Sequence, residues 1–459
     1  MTSPEDKDLS RQAGPAATAG GWVARLRARP GLVSVLANSG WLMAEQVLRL
    51  GIGFVLGVWT ARHVGPADFG LLSYAAAYTA VFAAVGTMGL NRVLVRELVS
   101  SESDPSATSR LMSTAFTIRL TAAVFLYVIA LAGAAFGTDR AFVIVALISA
   151  SLVFSMSDTI DLFFMSRVQS RRVAKMKMLS LLAGACSRTF MLVMDAPVFA
   201  FAAITLLESA LTALLVQVAY RRAGMRIRIS DFEWDRARSL MRECSPEILA
   251  ALSINLFMRL DQIMLQHLTE PAVVGTFAVA ARLTELWYFV PVAIVNSTFP
   301  GIVALRASNH DAYMGRLELL TGALVSFGYV AVLITWLVVS PLVPRVFGAA
   351  YEESALILLI QVWSVIFMVM GQTSGAWLMA ERKAVLNLYR GLFGLAVNLS
   401  AGFALIPHLQ GRGAALSTLI SIFSAYFLFD FLHPATREIG WLKLRALVQW
   451  PVYVRRNAS

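Results

Sequence analysis

Apolar runs of about 20 residues recur along almost the whole chain, and nothing else in the sequence constrains the fold as tightly. Wound as an α-helix, such a run matches the hydrocarbon thickness of a bilayer. Open strands are excluded at that depth, because lipid offers no partners for their backbone groups. The runs fall at 34–61, 70–90, 111–136, 141–163, 176–194, 197–219, 246–268, 273–298, 318–343, 355–379, 384–407 and 412–432, which predicts twelve spans. Of the 459 residues 58% are apolar, against roughly half in soluble domains. The expected class is therefore an all-α polytopic membrane protein.

Basic residues set the expected orientation. With both ends inside, 30 of the 39 Lys and Arg fall on that side, counting Lys177 and Arg390 at the inner edges of their spans, against Arg62, Arg140, Arg345 and Arg412 on the other. That is a strong positive-inside signal and agrees with an even number of spans. It predicts a multi-pass protein of the cytoplasmic membrane with cytoplasmic termini. The net charge of +11 then reports topology and contact with anionic lipid heads, not nucleic acid, for which no soluble basic domain is present. The first twenty residues read as a disordered tail without the apolar core of a cleavable signal, so the first span is expected to act as the anchor. Cys186 and Cys244 are the two cysteines, and neither a disulfide nor CxxC metal chemistry is expected.

The longest internal polar stretch, 221–242, carries seven arginines and divides the chain. The expected organisation is a tail at 1–33, a six-helix lobe at 34–219, a basic cytoplasmic linker at 220–245, a second six-helix lobe at 246–432, and a tail at 433–459. Trp441 and Trp450 place that last segment in the interface. The linker reads as a solvated positive-inside loop. Pro66-Ala67-Asp68-Phe69-Gly70 and Pro271-Ala272-Val273-Val274-Gly275 share the pattern P-A-x-x-G, each after the first span of its half. The halves are thus expected to be parallel repeats enclosing a midplane site.

Five arginines lie within the apolar runs away from their end turns: Arg49, Arg119, Arg188, Arg259 and Arg282. A charge at mid-bilayer costs on the order of 3 kcal/mol even on lenient scales, so such residues usually face a wet cavity. At 1.5 Å per residue, Arg49 and Arg259 sit roughly 20 Å in from the cytoplasmic ends of their spans, Arg188 about 18 Å, and Arg282 about 14 Å below the outer surface. Arg119, about 12 Å in, suits an inner vestibule. Guanidinium clamps phosphate bidentately, and no lysine lies deep in a run, so a site for an anion is expected. The competing reading is interhelical clamping, with Glu45–Arg49 at i,i+4 and Arg282–Glu285 at i,i+3 neutralising one another. Asp261, Asp158, Asp161, Glu45 and Glu208 are the candidates for proton or sodium coupling, and charge balance is their alternative role. No phosphate loop, HExxH or Cys/His cluster is present, so no catalytic residue, metal or cofactor is expected.

Asn38-Ser39-Gly40-Trp41-Leu42, Glu45, His63-Val64-Gly65-Pro66-Ala67-Asp68-Phe69-Gly70 and Tyr74-Ala75-Ala76-Ala77-Tyr78, with Gly89-Leu90, Val93, Arg96 and Glu97, carry a family resemblance. This stretch resembles the start of the Wzx-type polysaccharide flippases, with Val64 in place of the usual Leu. They form a branch of the multidrug/oligosaccharidyl-lipid/polysaccharide exporter superfamily. The resemblance implies two lobes forming a V around a cavity that opens alternately to either side. It also implies a polyprenyl-diphosphate-linked oligosaccharide as substrate, with polymerase and chain-length proteins as neighbours. On that reading the diphosphate meets Arg49, Arg188, Arg259 and Arg282, and Arg259→Ala abolishes transport. Three alternatives stand beside it: an ion-coupled multidrug antiporter, a membrane glycan polymerase or ligase, and a general sugar or peptide carrier.

Overall fold

The computed structural model describes residues 30–458 except residue 102, so most of the expected N-terminal tail lies outside the described residues. Every regular element in it is helical. The first half contains α1 (Pro30–Gly86), α2 (Leu90–Ser100), α3 (Pro105–Ala134), α4 (Asp139–Ser166), α5 (Ser170–Val193) and α6 (Val198–Arg222). The second contains α7 (Trp234–Leu268), α8 (Pro271–Leu286), α9 (Phe289–Ser308), α10 (His310–Phe347), α11 (Ala349–Gln361), α12 (Ser364–Ala380), α13 (Val385–Leu432) and α14 (Arg437–Ala458).

Among the described residues, nine helices are long and apolar enough to cross a membrane, or ten with the α11–α12 pair, bent by 47°. Two of the nine hold two expected spans each. α1 is broken at Gly65, whose φ of 75° is left-handed, and α13 is broken at Gln410, φ 49°. Helix starts follow local chemistry. Asp104 caps α3 by accepting from the Ser106 and Ala107 amides ahead of Pro105. Its bond from the Ser106 hydroxyl, with those amides, holds the Asp104 carboxyl below the usual range. Asn309 caps α10 through the Ala312 amide at 2.9 Å.

The halves meet along α1, which packs on α5 and α4 of its own half and on α8 and α7 of the other. The two P-A-x-x-G segments face each other at this seam. A Cβ on Gly70 would stand 1.9 Å from the Pro271 carbonyl oxygen, and one on Gly275 2.0 Å from that of Pro66. Only glycine allows helices to cross so closely. Phe69, Leu265, Phe277 and Tyr351 pack one apolar core around the crossing, and the Tyr351 hydroxyl donates to the Ala61 carbonyl at 2.8 Å.

Two expectations need correction. The basic linker keeps most of its arginines in solvent but is packed and partly helical. Its Arg228 and Glu233 amides donate to the Ser113 and Thr114 hydroxyls of α3 at 3.1 Å each, and Glu233 pairs with Arg110 at 2.8 Å. Ala237, Leu240 and Cys244 are buried with Leu94 and Leu98 of α2. The short polar stretch folds because its first helical turns are amphipathic. The C-terminal segment is also more than an interfacial tail. Trp441 is exposed, but Lys443 is fully buried against the second half, while the side chain of Trp450 lies outside those described.

Candidate functional site

A cavity of 610 Å³ opens within the first half, walled by α1, α4, α5 and α6. α1 presents Glu45 and Arg49 on one face, paired at 2.8 Å. α5 presents Lys177 and Arg188, and α6 presents Thr205, Glu208 and Thr212, one turn apart as expected of a polar stripe. Arg188, which has no acidic neighbour on its own helix, donates to Glu208 at 3.0 Å and to Thr205 at 3.4 Å. Asp161 is hydrogen-bonded to Lys177, with Asp158 3.9 Å away.

The lining is therefore of mixed sign: Arg49, Lys177 and Arg188 stand against Glu45, Asp158, Asp161 and Glu208. An adjoining cavity of 250 Å³ shares Gly53, Arg188 and Thr205 with the first and adds Arg282 from α8. Here α8 of the second half completes a site otherwise built from the first.

Arg282 differs from the other cavity arginines. It does not pair with Glu285, as its i,i+3 spacing suggested. Glu285 instead accepts from Arg259 at 3.0 Å. The Arg282 guanidinium lies 4.9 Å from the Phe69 ring centroid, beside the Gly70 crossing, and its side chain is exposed to the cavity. Among the described residues it makes no ion pair. An exposed cation over an aromatic face gains about 0.5–1 kcal/mol, less than a bidentate phosphate offers.

Arg119 is not brought together with these residues. It is 2% exposed, packed beneath α2, and donates to Asn91 at 2.7 Å. Arg259 pairs with Glu285 on the side of the second half.

Asp261 occupies a separate position between α7 and α13. It is 4% exposed and accepts from Asn398 at 3.1 Å and from the Thr418 hydroxyl at 2.7 Å. A pocket of 30 Å³, lined by Asp261, Glu285, Tyr288 and Gln361 among others, adjoins it. The Asn398 Oδ1 and Gln361 Oε1 atoms nearby are buried without a hydrogen-bond partner. Sequence reading missed Asn398, Thr418 and Gln361. Asn398 within an apolar run, and the Thr418/Ser421 spacing of i,i+3, were the available signals.

Residues 35–305 match the profile of the family described as polysaccharide biosynthesis protein. The chain belongs to that family. No curated protein sequence matches it. Among solved structures, the fold is similar to that of the lipid II flippase MurJ in an inward closed conformation, with 12% identity, 91% of this chain and 92% of that chain covered, and a TM-score of 0.68. It is also similar to an inward-facing multidrug resistance MATE family transporter of the MOP superfamily, at 14% identity, 89% and 95% coverage and a TM-score of 0.65. An outward-facing MATE transporter gives 0.59, at 16% identity and 89% and 96% coverage. The member of the polysaccharide biosynthesis family described here thus shares its fold with these transporters and this flippase, and is a multi-pass membrane protein.

Proposed function

We propose that this chain moves a polyprenyl-diphosphate-linked oligosaccharide across the cytoplasmic membrane by alternating access, as a flippase and not an enzyme. The observation that carries this reading is Arg282, a cation exposed to a cavity between the halves with no carboxylate paired to it among the described residues. Twelve spans with both termini in the cytoplasm fit the positive-inside count. The Gly70–Gly275 crossing then seals the outer end. The diphosphate docks on Arg282 and draws Arg188 from Glu208, since a guanidinium satisfied by a carboxylate must change partners to hold a phosphate. The isoprenoid tail stays in the lipid. Polymerase and chain-length proteins are the expected neighbours.

Replacing Arg282 with alanine should lower transport about thirtyfold, from the loss of about 2 kcal/mol in a charge-assisted contact. Lysine at the same position should recover it in part. The measurement is the leaflet distribution of polyprenyl-linked oligosaccharide in cells carrying each variant. Wild-type distribution with Arg282→Ala would refute the docking role.

Asp261, with two orphaned amide oxygens beside it, is the coupling group for a proton or sodium ion, whereas Glu45 and Glu208 are held by arginines. Asp261→Asn should keep the fold and lose at least tenfold in gradient-driven transport, because the amide neither takes up a proton nor supplies a charge. Unchanged dependence on the ion gradient would remove Asp261 from the coupling role.

A second reading has an observation of its own. Four carboxylates in the larger cavity suit an organic cation, as in a multidrug antiporter. Drug resistance conferred by expression, with lipid-linked sugars unaffected, would favour it.

A further inference from the structure

An apolar groove of 1050 Å³ runs down the outside of the first half, away from the cavity. Its walls are Thr117, Thr121 and Phe125 of α3, Val85 at the end of α1, and Trp234 and Met241 in the first turns of α7. Val85 is two residues from Ala83, which lines the large cavity, so the two open on opposite faces of α1. From Thr117 to Leu126 the groove follows α3 for about 13 Å, close to one leaflet of a roughly 30 Å core.

A second groove of 660 Å³, lined by Asp235, Arg238, Ser239, Arg242 and Glu243, adjoins it along α7, and Arg238 belongs to both. Glu243 is occupied by Arg96 at 2.8 Å. Arg238 and Arg242, one turn apart and exposed, make no ion pair among the described residues. With Asp235 on the same face the patch keeps a net positive charge. Trp234, 72% exposed, lines the apolar groove one residue from Asp235 of the second, as tryptophans do at headgroup level.

An apolar trough one leaflet long, ending at a pair of unpaired arginines, has the division of a lipid. We infer that this groove holds a glycerophospholipid of the cytoplasmic leaflet, one acyl chain against Thr121 and Phe125 and the phosphate on Arg238 and Arg242. The substrate is a poorer occupant, because the groove turns its back on the cavity. This assignment rests on the orientation given above, but not on the identity of the transported glycan. α7 is the helix by which the linker passes into the second half, so a lipid seated between α3 and α7 braces the joint on which the halves move.

The test is lipid retention, not transport, so it stands whether or not the flippase reading does. Full-length protein is recovered from nanodiscs of phosphatidylethanolamine and phosphatidylglycerol and weighed intact by native mass spectrometry. Wild type should keep one phospholipid. Thr121→Trp, which fills the trough, and the double change Arg238→Glu with Arg242→Glu should each keep about tenfold less, the effect of removing a bidentate phosphate contact or its chain site. Arg221→Glu with Arg222→Glu, an equal charge change outside the groove, should keep as much as wild type. Equal retention in both groove variants would overturn the assignment. So would displacement of the phospholipid by an equimolar polyprenyl phosphate, which would give the groove to an isoprenoid chain.

Discussion

Gly70→Ala is expected to part the halves at the sealed end of the bundle. The added methyl would lie 1.9 Å from the Pro271 carbonyl oxygen, and the obstacle is backbone, so no rotamer change relieves it. Overpacking of this kind costs about 1–3 kcal/mol. Under the alternating access proposed above, Gly70 and Gly275 touch only in the sealed state, so the cost falls on that state and shifts the population toward the open one. A shift of about 2 kcal/mol is roughly thirtyfold. In a Cys186→Ser background with Leu72→Cys, a wall of the Arg282 cavity, an impermeant maleimide added outside should label Gly70→Ala far faster than its parent. Gly275→Ala should behave alike. Unaltered labelling in both would place the outer seal elsewhere.

The second large effect is on stability. Lys443 of α14 donates to Asp430 at 2.5 Å, to the Ser374 hydroxyl at 2.8 Å and to the Tyr426 carbonyl at 2.6 Å, and both charged side chains are buried. Tyr426 lies in a π-helical turn, Ser424–Leu428. Arg390 joins the cluster through Ser374 at 2.6 Å and lies over the Tyr426 ring. Two cations thus share one carboxylate away from water. Asp430→Ala should cost about 3–5 kcal/mol, because it strands a buried charge. Asp430→Leu combined with Lys443→Met should recover part of that loss, since apolar replacements of a buried pair are tolerated. Thermal unfolding in detergent, with proteolytic release of α14 as a second readout, tests both. A melting point unmoved by Asp430→Ala would show that the cluster does not hold α14 in place.

These two sites mark where sequence reading stops. Apolar runs and buried arginines follow from lipid being the solvent, so the helical class and the positions of Arg49, Arg188 and Arg282 along their helices were legible. Partners were not. Arg188 finds Glu208 twenty residues away, and Glu285 turns from its helical neighbour Arg282 to Arg259, because pairing depends on how helices rotate against each other. Depth along a span also misplaces residues at its ends. Arg390 counted as an inner-edge charge and Lys443 as a charge of the C-terminal tail, yet both are buried, since α14 folds over a surface that a linear count leaves in water. Lys177 was assigned to the edge in the same way and instead enters the cavity wall. The P-A-x-x-G repeat was visible as a repetition, but that its two copies touch is a fact of three dimensions.

That contact gives the single chain the geometry of a dimer. The same five-residue pattern supplies the notch on one side and the carbonyl ridge on the other, with the roles exchanged, which is the self-complementary arrangement of a two-fold interface. Across it Gly70 meets Pro271 and Gly275 meets Pro66, so the same close approach is made twice. The arginines, set away from the axis, are under no such constraint: Arg282 has no matching cation in the first copy, where Ala77 stands at the same distance from its P-A-x-x-G. Symmetry therefore governs how the two halves meet, and under the function proposed above its loss away from the seam lets the cavity present an unbalanced charge to an anionic cargo.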